Sequence, residues 1–144
     1  MPSFLAPLVD GSAARYLLRN DRTNRTLAAR LETAFDSRQR RRGLLDRTHL
    51  DPDAAMVLAP CAAVHTFFMR FPIDVVFVRR NGTVAGVVSN VKPWRIAVAP
   101  RAFAAIELAP GAAAYSGTMR GDRLRLEFIE SRSGETPGPP STPS

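Results

Sequence analysis

The sequence predicts a mainly β fold, either an antiparallel β-sandwich or a partly closed barrel, with one or two short helices. Apolar and polar residues alternate with a period of two in 27–32 and in 123–128, which is typical of half-buried strands. Two β-branched runs flank Asn81-Gly82, the strongest short signal of a hairpin, here with a type I′ turn. Strand-like segments also follow one another without the strand–helix alternation of a parallel sheet.

The other strands are predicted from short apolar runs that turn residues bound on both sides. These runs lie at 14–20, 55–58, 64–69, 72–80, 83–91 and 102–110. Residues 90–101 contain two prolines around Trp94 and are predicted to form a loop. A helical turn is expected in "GAAAYSG", closed by Gly117.

A short helix is predicted over residues 37–42. Asp36 or Ser37 can cap it, because each offers a side-chain oxygen to free N–H groups of the first turn. Gln39 stands three residues after Asp36, in the capping-box position. Gly43 can adopt the left-handed conformation that commonly ends a helix.

The chain length of 144 residues favours a single domain, which we place at 13–130. Residues 1–12 are expected to form a loosely attached N-terminal arm. Residues 131–144 are rich in Pro, Ser, Gly and Thr, and such a composition predicts a disordered tail.

Charge and cysteine usage limit the classes of function. The formal net charge is +7, and all basic residues except Lys92 are arginine, so weak, non-specific nucleic-acid binding is one expectation. A single cysteine excludes an internal disulfide and fits a reducing compartment. No apolar run reaches the roughly 18 residues of a membrane span, and no secretion signal is recognised. We therefore expect a cytoplasmic monomer without a membrane span.

The segment "HTFFMRFPID" contains the residues most able to carry chemistry. If 64–69 is extended, His65 and Met69 share one face of that strand. The following strand is apolar on both faces, so Asp74 is predicted to be buried. A buried carboxylate needs a partner, and Arg70 is the first candidate and His65 the second.

Three interpretations of this segment stay open. The first is a binding site for a small anionic ligand or a partner protein. In this site Arg70 holds an anionic group, His65 and Asp74 lie beside it, and Trp94 stacks on the ligand. The second is a structural ion pair of Arg70 and Asp74 that fixes the turn into the hairpin. The third is an enzyme that uses His65 and Asp74 as acid and base.

No metal site, cofactor site or catalytic group is assigned from the sequence. His49, Cys61 and His65 do not have the spacing of zinc ligands. Phosphate-loop, dinucleotide and nucleophile-elbow motifs do not occur. Cys61 stands between Pro60 and an apolar run, which predicts a buried and unreactive thiol.

Five short motifs occur in a fixed order: "RRRGLLDR" from Arg40, then "VHTFFMRFPIDVVFV", "RNGTV", "AIELAPGAA" and "GDRL". With this order and spacing, residues 27–128 resemble the DUF192 family. Typical members carry "FWMKN…PLDI" in the central motif, which Met69, Pro72 and Asp74 match, whereas Phe68 replaces Trp and Arg70 replaces Lys. The resemblance implies a sandwich-like β domain with one short helix and no established activity. We therefore expect a non-enzymatic binding or accessory module.

Overall fold

The computed structural model describes residues 3–129, and within them the chain is mainly β, with open sheets and two short α-helices. The strands are β1 Tyr16–Asn20, β2 Thr26–Ala28, β3 Arg30–Ala34, β4 Ala54–Leu58, β5 Ala63–His65, β6 Ile73–Val78, β7 Val84–Val91, β8 Ile96–Val98, β9 Ala104–Leu108 and β10 Leu124–Phe128. The α-helices are α1 Ser37–Arg42 and α2 Ala112–Tyr115, and single 3-10 turns cover Ala6–Leu8 and Ala13–Arg15. The prediction of a mainly β domain is confirmed.

A five-stranded sheet in the order β3-β4-β9-β6-β7 forms the centre of the molecule. One face packs on the three-stranded sheet β10-β1-β2, through residues such as Val57, Ile106 and Leu124. The other face packs on the two-stranded β5-β8 ribbon and on the segment after α1, through Leu44, Val64 and others. Every residue of β6 is buried, as expected for a central strand covered on both faces.

The hairpin of β6 and β7 is present, but its turn differs from the predicted type I′ turn. The N–H of Gly82 donates to the carbonyl of Arg79 at 3.0 Å, and Gly82 has φ +91° while Asn81 has a negative φ. This is a longer loop with one left-handed glycine. A Cβ at Gly82 would lie 2.5 Å from the carbonyl oxygen of Leu124, so the close approach of β10 also requires glycine.

One strand pair departs from the antiparallel expectation. β3 and β4 pair in parallel and are connected through α1. The crossover contains a helix of only six residues, so the strand–helix alternation is faint in the sequence. The helix itself matches its prediction, and its capping box is formed: Asp36 Oδ1 accepts from the Gln39 N–H at 2.7 Å, and the Gln39 side chain accepts from the Asp36 N–H.

The N-terminal segment is part of the core. Leu5 and Leu8 are buried among the residues between the central and three-stranded sheets, and the N–H of Phe4 donates to the carbonyl of Arg80 at 2.7 Å. The expectation of a loosely attached arm is therefore wrong for residues 3–12. The predicted disordered tail, 131–144, lies outside the described residues. Within 3–129, no helix is long and apolar enough to cross a bilayer.

Candidate functional site

An open cavity of about 460 Å³ lies between α1, the loop after β4, β5 and β9. We call it the Glu107 cavity. Its walls are mainly apolar and include Leu44, Leu58, Val64 and Met69. Its polar lining groups are Arg40, Arg42, Cys61, His65 and Glu107. An apolar cavity with a few convergent polar groups is the usual form of a small-molecule site.

Glu107 is the most unusual of these groups. It lies on the central strand β9 between Met56 and Val75 of the neighbouring strands, and its exposed fraction is 4%. Its Oε1 atom is buried and has no hydrogen-bond partner among the described residues. Burial raises the pKa of Glu107 from 4.5 to about 7. A carboxyl group in this state is costly to the fold, and such costs concentrate at functional sites.

The groups around Glu107 do not neutralise it. The Arg40 guanidinium donates to the carbonyls of Phe35 and Ala59, at 2.9 and 3.2 Å. The half-buried Cys61 thiol donates to the Ala63 carbonyl at 3.1 Å. Burial raises the pKa of Cys61, and the nearby Glu107 raises it further. The thiol therefore stays protonated near neutral pH, as expected for an unreactive cysteine.

Gly43 brings the end of α1 next to the carboxyl group of Glu107. The glycine has φ +44°, and a Cβ placed on it would lie 3.9 Å from Glu107 Oε1. The residue that ends the helix therefore also forms part of the cavity wall.

The predicted strand 64–69 ends at His65, and a turn follows. Thr66 is buried and causes this break, because its side chain and backbone bind the loop before β8. Its hydroxyl donates to the Lys92 carbonyl at 2.6 Å and accepts from the Arg95 N–H at 2.9 Å. Its carbonyl accepts from the N–H groups of Met69 and Trp94. The predicted loop 90–101 contains β8, which pairs with β5.

Four aromatic rings follow one another at this junction. His65 stacks on Phe67 with ring centres 4.9 Å apart, and Phe67 stacks on Trp94 at 5.7 Å. Phe68 contacts Trp94 at 4.6 Å. His65 also lines the Glu107 cavity, whereas Trp94 lies on the exposed surface beside it.

Asp74 is buried as predicted, with 1% exposed, but its predicted partner is wrong. Its Oδ1 accepts from the Asn90 N–H at 2.8 Å, and its Oδ2 accepts from the N–H groups of Gly111 and Ala113 at 3.0 Å. Arg70 is exposed and forms no ion pair within residues 3–129. Two backbone donors at the start of α2 and one on β7 replace the arginine.

The structure thus divides the four predicted site residues. His65 and Trp94 are linked through the ring of Phe67, which stacks with both. Arg70 is exposed and lies two residues after Phe68 in the chain. Asp74 points to the opposite face of the central sheet from its neighbours Ile73 and Val75, which pack on the side of the cavity. Within residues 3–129, no three His, Cys, Asp or Glu side chains are grouped to hold a metal ion.

Sequence reasoning missed Glu107, although the signal was present. In "AFAAIELAP" a single acidic residue interrupts an apolar strand, the pattern that identified Asp74 as buried. The sequence pattern does not show whether backbone N–H donors reach the buried carboxyl group. They reach Asp74 and they do not reach Glu107.

Comparison with known proteins places the fold. The family DUF192, described as an uncharacterized ACR, matches residues 18–126. The crystal structure of a candidate transcription regulator from Sinorhizobium meliloti 1021 is similar, with 26% identity, TM-score 0.69, and coverage of 78% of this chain and 92% of that chain. A protein of unknown function from Novosphingobium aromaticivorans DSM 12444 shares the fold at 24% identity and TM-score 0.67, over 77% and 83% of the two chains. No curated protein matches the sequence.

Proposed function

The chain belongs to the DUF192 family, whose function is unknown, and we propose that it is a non-enzymatic module that binds a small ligand in the Glu107 cavity. One observation carries the proposal: Glu107 Oε1 is buried at this cavity without a partner among the described residues. An unsatisfied buried acceptor costs about 1–3 kcal/mol, or more when charged. A ligand that donates a hydrogen bond to this oxygen would remove that cost.

The lining predicts the chemistry of the ligand. Leu58, Val64 and Met69 favour a short apolar body, and the carboxyl group of Glu107 favours a protonated amine at its end. The small anionic ligand expected from the sequence would have to place its charge at the mouth, beside Arg42 and His65, because the carboxylate would repel it deeper inside. Of the residues first proposed for binding, His65 therefore keeps the most direct role.

Catalysis receives less support from the same geometry. His65 and Asp74 cannot act as one acid–base pair, because Asp74 is bound by backbone donors on the other face of the sheet. A Cys61 nucleophile would need a lowered pKa, and burial raises the pKa of its thiol.

The proposal is tested by titrating the 15N-labelled protein with three matched probes at pH 8: n-butylammonium, n-butanol and butanoate. We expect butylammonium to shift the amide signals of residues 43–45, 61–65 and 107 at the lowest concentration, because it alone pairs with an ionised Glu107. Glu107→Gln should weaken the butylammonium shifts about tenfold or more, which corresponds to roughly 1.4 kcal/mol.

Glu127→Gln is the matched control, since Glu127 lies on β10 and forms ion pairs with Arg19 and Arg125. It should leave all three titrations unchanged. If none of the probes shifts the cavity signals, the cavity does not bind small ligands. If butanoate gives the tightest binding, Glu107 is not the anchor and the ligand is anionic.

Nucleic-acid binding is expected to be weak. The net charge of +7 favours contact with phosphates, and such contacts are sequence-independent and salt-sensitive. Fluorescence anisotropy with a labelled DNA duplex should show an affinity that falls steeply between low and physiological salt. Sub-micromolar binding that persists at physiological salt would contradict this expectation and favour a nucleic-acid function.

A further inference from the structure

The β5-β8 ribbon and its neighbouring turns expose a set of large apolar side chains. Phe68, Trp94, Ile96 and Val98 each expose more than half of their surface, and we call them the aromatic surface. Ile96 and Val98 point outward from β8, while Ala97 between them packs in the core. Grouped exposure of this kind is unusual in a monomer and marks an interaction site.

The backbone holds two of these side chains outward in an unfavourable conformation. Phe68 and Trp94 both have φ +67°, a left-handed geometry that residues with a Cβ rarely adopt. Hydrogen bonds to Thr66 fix both turns, because its carbonyl accepts from the N–H groups of Met69 and Trp94. Strain of this kind persists only where the surroundings impose it, and it clusters at functional surfaces.

The chain around the aromatic surface is basic. Between Asp53 and Glu107 the sequence has one acidic residue, Asp74, and its carboxylate is buried. The same segment has six basic residues, of which Arg70, Lys92 and Arg95 flank the aromatic surface in sequence and are exposed. An apolar surface with a positive border is complementary to a negatively charged, partly apolar partner.

We propose that the aromatic surface binds the face of an anionic lipid bilayer. Tryptophan and phenylalanine enter the headgroup region, and nearby Lys and Arg side chains strengthen the binding through their attraction to anionic lipids. Ile96 and Val98 favour a bilayer over single-stranded nucleic acid, since they have no ring on which a base could stack. The ring of Phe67 already stacks with His65 and with Trp94. This inference does not depend on the Glu107 cavity.

The experiment uses the intrinsic fluorescence of the full chain, since Trp94 is its only tryptophan. Vesicles of phosphatidylcholine and phosphatidylglycerol in a two-to-one ratio should shift the emission to the blue and carry the protein into the pellet on centrifugation. Vesicles of phosphatidylcholine alone should do neither. Molar salt should release the protein, because surface electrostatics are screened within about 3 Å at that concentration.

Two variants locate the binding to this surface. Phe68→Ser and, separately, the pair Ile96→Ser with Val98→Ser should each lower the vesicle partition coefficient by about tenfold or more, as expected for the loss of one large buried side chain. Tyr115→Ser is the matched control, because Tyr115 is 73% exposed on α2, away from the ribbon. Equal melting temperatures establish that the variants are folded.

Any of three results would overturn the inference. The first is the absence of both the blue shift and sedimentation with anionic vesicles. The second is binding of an oligo(dT) strand that is tighter than vesicle binding and is lost in the same variants, which would assign the surface to single-stranded nucleic acid. An equal loss in Tyr115→Ser would remove the assignment to the aromatic surface.

Discussion

Replacing Asp74 by Ala is expected to lower the free energy of unfolding by about 3–5 kcal/mol, because three backbone N–H groups that bind this buried carboxylate lose their acceptor at once. Asp74 Oδ2 binds two of these donors, at Gly111 and Ala113, and Oδ1 binds the third at Asn90. Asp74→Asn should also destabilise the fold, because the amide NH2 group replaces one carboxylate oxygen. This NH2 donor would then face a backbone N–H donor. Urea denaturation followed by circular dichroism measures both changes.

Arg70 supplies the control for this result. Its side chain is exposed and is not paired with Asp74, so Arg70→Met should change the unfolding free energy by less than about 0.5 kcal/mol. The double variant with Asp74→Asn should show the sum of the two single effects. Recovery of stability in the double variant would instead establish an ion pair between Arg70 and Asp74.

Local signals in the sequence predicted most of the regular structure. The capping box at Asp36 and the left-handed Gly43 act within a few residues, and α1 has the bounds that they predict. The alternation in 123–128 likewise predicts a strand, and β10 forms there, although Leu124 is its only buried residue and Phe128 is exposed. These predictions succeed because their physical causes lie within the segment.

The misses have causes that lie far away in the chain. The strand after Val64 stops because Thr66 binds the segment near Lys92 and Arg95, about 26–29 residues later. Asp74 follows Arg70 by four residues in the sequence. Its donors nevertheless come from the hairpin partner strand and from the start of α2, where Gly111 is 37 residues away. Sequence proximity suggested the arginine, whereas the packing of α2 on the sheet decided the partner.

Asp74 and Glu107 illustrate how far the sequence determines a site. Both are single acidic residues in apolar strands, and both are buried. Asp74 is saturated with backbone hydrogen bonds, so it is a structural residue, while Glu107 Oε1 is left without a partner among the described residues at the edge of a cavity. The distinction depends on which backbone groups the fold brings near, and this information is not local.

The stability of the protein should fall as the pH rises from about 4.5 to 7, and Glu107 should cause the largest part of this change. In the unfolded chain its carboxyl group has an ordinary pKa of 4.5, whereas burial raises the pKa in the folded protein to about 7. Between these values the folded protein binds the additional proton, so an increase in pH favours unfolding. The contribution of the protonated Glu107 to the free energy of unfolding is complete below pH 4.5 and is lost above pH 7. The difference between these two limits is about 3 kcal/mol.

Glu107→Gln isolates this contribution, because glutamine resembles the protonated acid and does not titrate. The variant should match the wild type at pH 4.5 and should exceed its unfolding free energy by about 3 kcal/mol at pH 8. The difference between the two curves cancels titrations that both proteins share, such as that of Asp122, whose pKa is held at about 2 chiefly by its hydrogen bond from Arg22. Identical curves would contradict the prediction, since Glu107 would then be ionised and satisfied in the folded protein. A stability gain in the variant would mean that the fold retains a costly carboxyl group, as expected where a ligand and not the core is its partner.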